Sequence, residues 1–190
     1  MLWQAGRLLL DEITLKEYKR VLEVPFSSSR KMMLTVSDVS GRNELVKGGM
    51  ALPEGTKILS VCKGAPNYIL DHCEEQLLLD GSTRKMTEVE KKEVLDEVDK
   101  YSSKALRVLV IATQTFEGMP FDESNEDLTT DNKFEACRKG LRLLGLVASI
   151  DPDRDGVPES VIAARGARIW VVMITGDYLK TVGSILQPQY

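Results

Sequence analysis

Apolar and polar positions change rhythm several times along these 190 residues, and each change marks an element. The chain alternates toward Val21-Leu22-Glu23-Val24, passes through Phe26-Ser27-Ser28-Ser29-Arg30-Lys31, and resumes an extended apolar pattern at Met32-Met33-Leu34-Thr35-Val36. Side chains of a strand point alternately to two faces, so this pattern predicts two strands flanking a Ser-rich turn, with Phe26 and Lys31 beside each other on a sheet. Ile58 to Cys62 is a further short strand. Pro66 to Cys73 reads as a helix opened by proline, whose missing N–H is harmless in a first turn. Lys63 and Gly64 are thereby placed at a strand-to-helix junction.

Thr87-Glu88-Val89-Glu90 has the spacing of a capping box, and Val94, Leu95, Val98 and Tyr101 follow at helical intervals, predicting a helix over 87–101 with its charges on a solvated face. Leu106 to Ala112 is β-branched and apolar, which predicts a buried strand. The acidic stretch from Phe121 to Glu135 predicts a surface loop with a short helix at its end. Farther on, Leu143 to Ile150 reads as a strand and Pro158 to Arg165 as a short helix stopped at Gly166. Ile169 to Ile174 reads as a second strand, the three together forming a βαβ unit with a parallel sheet.

Composition narrows the function classes. Hydrophobic residues make up 43% and charged residues 28%, as in ordinary globular proteins, and runs such as Leu143 to Ile150 are too short to cross a bilayer. The segment Met1 to Arg7 lacks the order of basic, apolar and small-residue stretches of a secretory signal, so the chain reads as cytosolic. A net charge of -4 gives no general attraction to nucleic acid or anionic lipid. Three cysteines without paired spacing and the single His72 indicate neither a disulfide framework nor a zinc site, and buried reduced thiols are expected.

Several residues carry candidate chemistry. Phe26 offers an aromatic face for a base, and Lys31 an ammonium for a phosphate. Lys63-Gly64 puts a cation beside a residue without a side chain, where a ligand can approach the backbone. Arg107 stands inside an apolar strand, where a guanidinium is costly unless an anion or water meets it. Each also has a plain structural reading: Phe26 as core, Arg107 as an edge-strand residue facing water. Gly49 to Gly55 with Thr56-Lys57 is like a phosphate loop, but the gap is one residue too long and the last pair is reversed. Asp151-Pro152-Asp153-Arg154-Asp155-Gly156 starts like a calcium loop, yet Ile162 stands where a bidentate glutamate belongs.

The strings Phe26 to Lys31, Lys63-Gly64-Ala65-Pro66, Ala105 to Ala112, and Trp170 to Ile174 running into Thr175-Gly176-Asp177 occur in an order that resembles the cytoplasmic part of type II P-type ATPases. The resemblance runs from about Val21 to Thr181. It implies an α/β fold: a nucleotide-binding domain over 1–140, with a mainly antiparallel sheet and flanking helices and with 1–17 poorly matched. A truncated dehalogenase-like Rossmannoid βαβ unit of the phosphorylation domain would follow over 141–190.

For ATP the resemblance implies Phe26 as the adenine-stacking aromatic, Lys31 and Lys63 as pocket lysines, Gly64 as the close-packed glycine, and Arg107 as the residue reaching the phosphates. Asp151 and Arg154 match an interdomain hinge. Thr175, Gly176 and Asp177 match the loop that holds the transferred phosphoryl group. The phosphorylated Asp-Lys-Thr-Gly-Thr motif and the later magnesium motif do not occur here, so the catalytic site is incomplete in this chain and magnesium belongs to the complete pump. Asn67 replaces the usual glutamate after Lys63-Gly64-Ala65-Pro66, and Asp153 the second hinge proline. The partners implied are nucleotide and the remaining pump domains, with no direct membrane contact by this chain. Ser-x-Arg-Lys-x-Met at Ser28 to Met33 points to calcium as the transported ion. The alternative is a stand-alone haloacid-dehalogenase-like phosphatase with Asp151 as nucleophile.

Overall fold

In the computed structural model the described residues are 18–43, 51–78, 82–150, 154–172 and 174. They contain seven strands in one sheet, in the order β1-β2-β3-β6-β7-β4-β5. The strands are β1 (Lys19–Val24), β2 (Met32–Asp38), β3 (Ile58–Gly64), β4 (Cys73–Leu77), β5 (Thr83–Lys85), β6 (Leu106–Phe116) and β7 (Leu141–Ile150). Four helices accompany them: α1 (Pro66–Leu70), α2 (Glu88–Ser102), α3 (Thr130–Cys137) and α4 (Val157–Gly166). The fold is thus mixed α/β with a mostly antiparallel sheet. β1, β2, β3 and β6 pair antiparallel in turn, β4 pairs antiparallel with β5, and β4 pairs parallel with β7.

The chain divides into two compact units, one of Met1–Thr87 with Val110–Gly145 and one of Glu88–Leu109 with Leu146–Tyr190. In the first unit, register shows why the sheet is two-faced. Val24, Leu34, Cys62 and Ala112 stand opposite one another across β1, β2, β3 and β6, all buried, with Val36 and Ser60 on one side and Met32, Gly64 and Val110 on the other. The opposite face is mixed. Its far end is covered by a small cluster of Val39, Leu52 and Leu59 with Tyr18 and Val61, and its near end carries Met33, Lys63 and Ile111. α3 begins where Thr129 Oγ1 accepts from the Asn132 amide at 3.2 Å, a capping bond that satisfies a free N–H of the first turn, and it buries Phe134 and Cys137.

In the second unit α2 begins one residue after Thr87, as the capping pattern predicts, and buries Val98 and Ser102. Val108 of β6 is buried, while Arg107 and Leu109 on either side are exposed, so this half of the strand is one-sided instead of fully buried as expected. α4 follows Gly156, which sits at φ 84°, and ends at Gly166, as the sequence predicts. Two residues on, Arg168 takes a left-handed backbone (φ 61°). The Ile169 amide donates to the Ala164 carbonyl at 2.9 Å and the Arg168 amide to the Arg165 carbonyl at 2.9 Å, satisfying the last free carbonyls.

Three further sequence expectations change. The helix at Pro66 stops at Leu70, and Cys73–Leu77 is instead a strand, held by the parallel register Cys73↔Leu141 and Gln76↔Leu143. Phe26 and Lys31 are not on the sheet but in the turn between β1 and β2. Residues 169–172 and 174 form no strand, so no βαβ unit is present among the described residues. Trp170 is 92% and Ile174 94% exposed. β-branched composition makes a strand only where a neighbour offers hydrogen bonds, and here none of the seven strands takes that place.

Candidate functional site

The turn from Pro25 to Lys31 is built by its own polar groups. Pro25 ends β1, and a proline has no N–H to continue a ladder. The Lys31 amide donates to the Ser27 carbonyl at 2.8 Å, and the Arg30 amide to Ser27 Oγ at 3.1 Å. Lys31 then takes a left-handed backbone (φ 56°), which costs a non-glycine residue about 1–2 kcal/mol. That rotation turns the chain into β2 and directs the Lys31 carbonyl to the end of β3, where it accepts from the amide of the next residue, Ala65, at 3.0 Å.

Directly beneath lies Gly64, opposite Met32 in the register. A β-carbon there would lie 2.8 Å from Met32 Cα and closer still to the Lys31 carbonyl oxygen. Gly64 is therefore required by the approach of the Lys31 backbone, a reason internal to the chain. Lys63, one residue earlier, points to the other face and is exposed, flanked in register by Met33 of β2 and Ile111 of β6. One step along the same face stand Thr35, Val61 and Thr113. Phe26 is 57% exposed, so it is not a core residue.

The structure thus brings Lys31, Lys63 and Gly64 together by register and sets Phe26 at the start of the same turn. An exposed aromatic surface, two ammonium groups and a mixed apolar and hydroxyl sheet face suit a ligand with a flat base and an anionic tail. Arg107 lies in the second unit, exposed on β6. Arg154 is exposed, and its carbonyl accepts from the Val157 amide at 3.2 Å as α4 begins. Asp151, Thr175, Gly176 and Asp177 lie outside the described residues. Gly55 and Thr56 form a turn in which Thr56 Oγ1 donates to the Pro53 carbonyl at 2.7 Å, and β3 follows, so the phosphate-loop pattern lacks its helix. Among the described residues no group of three or more His, Cys, Asp or Glu could hold a metal ion, and no helix is long and apolar enough to cross a membrane.

Sequence reasoning missed Arg30. Its Nη1 donates to Asp131 Oδ1 at 2.6 Å, a partner 101 residues away, and its guanidinium carbon sits 5.4 Å from the centre of the Phe134 ring. Nothing in the spacing of Arg30 and Asp131 signals that pairing.

All three cysteines are buried and none is in a disulfide, as composition suggested. Burial pushes the Cys62 thiol up to about 12, against a smaller downward pull from Arg138, and burial alone pushes Cys137 up to about 11. Because the folded values exceed the ordinary 9.0, the stability gained by keeping these thiols protonated is whole below pH 9.0 and is lost as pH rises through 11 and 12. Urea midpoints should accordingly fall above pH 9, and less steeply in Cys62→Ala than in the parent. An equal slope in both would contradict the assignment.

The profile of the family described as P-type ATPase, cytoplasmic domain N, matches residues 8–156. The chain is 34% identical over 166 residues to a calcium-transporting ATPase 1 of Lactococcus lactis, covering 87% of this chain and 16% of that protein. It is 33% identical over 177 residues to a P-type sodium-transporting ATPase4 of Toxoplasma gondii (86% and 13%), and 32% identical over 173 residues to the human sodium/potassium-transporting ATPase subunit alpha-3 (88% and 15%). This chain belongs to the P-type cation ATPase family, in its cytoplasmic N domain. It spans about one-sixth of the length of such relatives.

Proposed function

We propose that the chain binds the adenine nucleotide of ATP at the turn between β1 and β2, as the cytoplasmic nucleotide-handling part of a calcium-transporting pump. The observation that carries this reading is the register that packs Lys31 against Gly64 and sets Lys63 next to the turn bearing the exposed Phe26. Phe26 stacks on the base, and Lys31 and Lys63 neutralise phosphate charge. No magnesium is needed for this ground-state grip, since ammonium groups supply the positive charge. Arg107 enters through the resemblance alone, as do Asp151 and Arg154 as a hinge and Thr175, Gly176 and Asp177 as the phosphoryl-holding loop. The further domains of such a pump would be the partners of this chain, on the cytoplasmic side of a membrane. The Ser28 to Met33 pattern and the Lactococcus relative support calcium as the ion.

Calorimetric titration of ATP and ADP into the full chain with EDTA present tests the reading. Binding without hydrolysis is expected, weaker at higher salt because partly exposed charges are screened. A hydrogen bond to a charged group contributes about 1.5–3 kcal/mol, so Lys63→Ala should weaken ATP roughly 10- to 150-fold. Phosphoester hydrolysis that disappears in Asp151→Asn would instead establish the phosphatase.

A further inference from the structure

Every residue of the turn 25–31 is at least partly exposed. Phe26 faces out and the three serines are polar, so apolar packing does not hold this segment in place. Its backbone is tied to the sheet at one end, through the Lys31 carbonyl and the Ala65 amide. Arg30 supplies a tie to a second element. Its Nη2 donates to the Pro25 carbonyl at 3.3 Å, at the start of the turn, while Nη1 donates to Asp131 Oδ1 at 2.6 Å. Asp131 is in the first turn of α3, which is itself held by the buried Phe134 and Cys137, and the guanidinium lies over the Phe134 ring. Arg30 Nε is buried without a hydrogen-bond partner, so the side chain is held in this pose at a cost. A planar fork can meet a carbonyl and a carboxylate at once while stacking on a ring; a lysine ammonium, a point charge on a flexible stem, cannot reproduce this.

We infer that Arg30 is a positioning residue for nucleotide binding, clipping the turn to α3 so that Phe26 and Lys31 are already placed when the ligand arrives. This rests on the proposed nucleotide site, in which Arg30 itself makes no ligand contact. Without the clip the turn must be ordered on binding, which lowers affinity without altering the final contacts.

The test is titration of ATP and of adenosine into the full chain and its Arg30→Gln, Arg30→Lys and Asp131→Asn variants. Arg30→Gln should weaken both ligands by the same factor, about 5- to 30-fold, because the base and phosphate contacts depend on one turn. Arg30→Lys should not restore affinity. Asp131→Asn, a change at an exposed side chain that leaves the core intact, should give a smaller loss with the same equal pattern. The double variant Arg30→Gln with Asp131→Asn should be no worse than Arg30→Gln alone, since the two act through one contact. A loss confined to ATP would mean a direct phosphate contact, and unchanged affinity in a folded Arg30→Gln variant would mean the clip is idle; either overturns the inference. If the parent chain binds neither ligand, the functional reading fails. The clip is then judged by hydrogen exchange of the Arg30 and Lys31 amides: faster exchange in Asp131→Asn supports it, and unchanged exchange overturns it.

Discussion

Gly64→Ala should destabilise the fold by about 3 kcal/mol, at the upper end of what an added methyl costs in a packed site. The reason is what the new β-carbon would meet: Met32 Cα at 2.8 Å and the Lys31 carbonyl oxygen nearer still, both backbone atoms. A side chain such as that of Met32 could rotate away, but backbone can yield only if β2 and β3 part where they are paired over seven residues. Parting them would also break the hydrogen bond from the Ala65 amide to Lys31 and shift Lys31, so nucleotide affinity should fall with stability. Gly118→Ala serves as the control, because a β-carbon there has nothing within 4 Å, and its effect should stay within about 0.5 kcal/mol. Denaturant midpoints of the two variants decide the matter. A Gly64→Ala variant as stable as Gly118→Ala would contradict the close approach.

Phe26→Ala should do the reverse, sparing the fold and harming binding. A side chain that is 57% exposed contributes little apolar burial to the folded state, so the melting curve should hardly move. Stacking of a base on an aromatic ring is worth about 1–3 kcal/mol, which predicts roughly a 5- to 150-fold weaker ATP complex. Adenosine should weaken by a similar factor, since the ring acts on the base. Inorganic triphosphate, which has no base, should bind parent and variant alike. Loss of stability without loss of affinity would return Phe26 to a packing role.

These two residues show how far the sequence could be read. Alternation marked β1, and short apolar or β-branched runs marked β2, β3 and most of β6, because the core positions of these strands are written locally. α2 was legible from its Thr and Glu spacing. β4 was not, since Cys-Glu-Glu-Gln has no strand propensity of its own and owes its conformation to pairing with β7, almost seventy residues on. The converse holds at 169–172 and 174, where strand propensity is strong but no strand forms among the described residues. For the site, the residue types at Phe26, Lys31, Lys63 and Gly64 were legible as a set, but the reason for Gly64 was not. A glycine next to a lysine suggests room for a ligand; only the register reveals that the chain itself fills the space. Arg30 was hidden for a similar reason, because its carboxylate partner lies on a helix far along the chain.

The proposed nucleotide site lies at the turn between β1 and β2. Its most direct test is a titration of the uniformly labelled chain with ATP, with EDTA present, followed by amide nitrogen and proton shifts. Binding at this site predicts saturable shifts clustered at Phe26 to Met33, Lys63 to Ala65 and Ile111. Shifts absent from Phe26 to Met33, or clustered elsewhere, would contradict it.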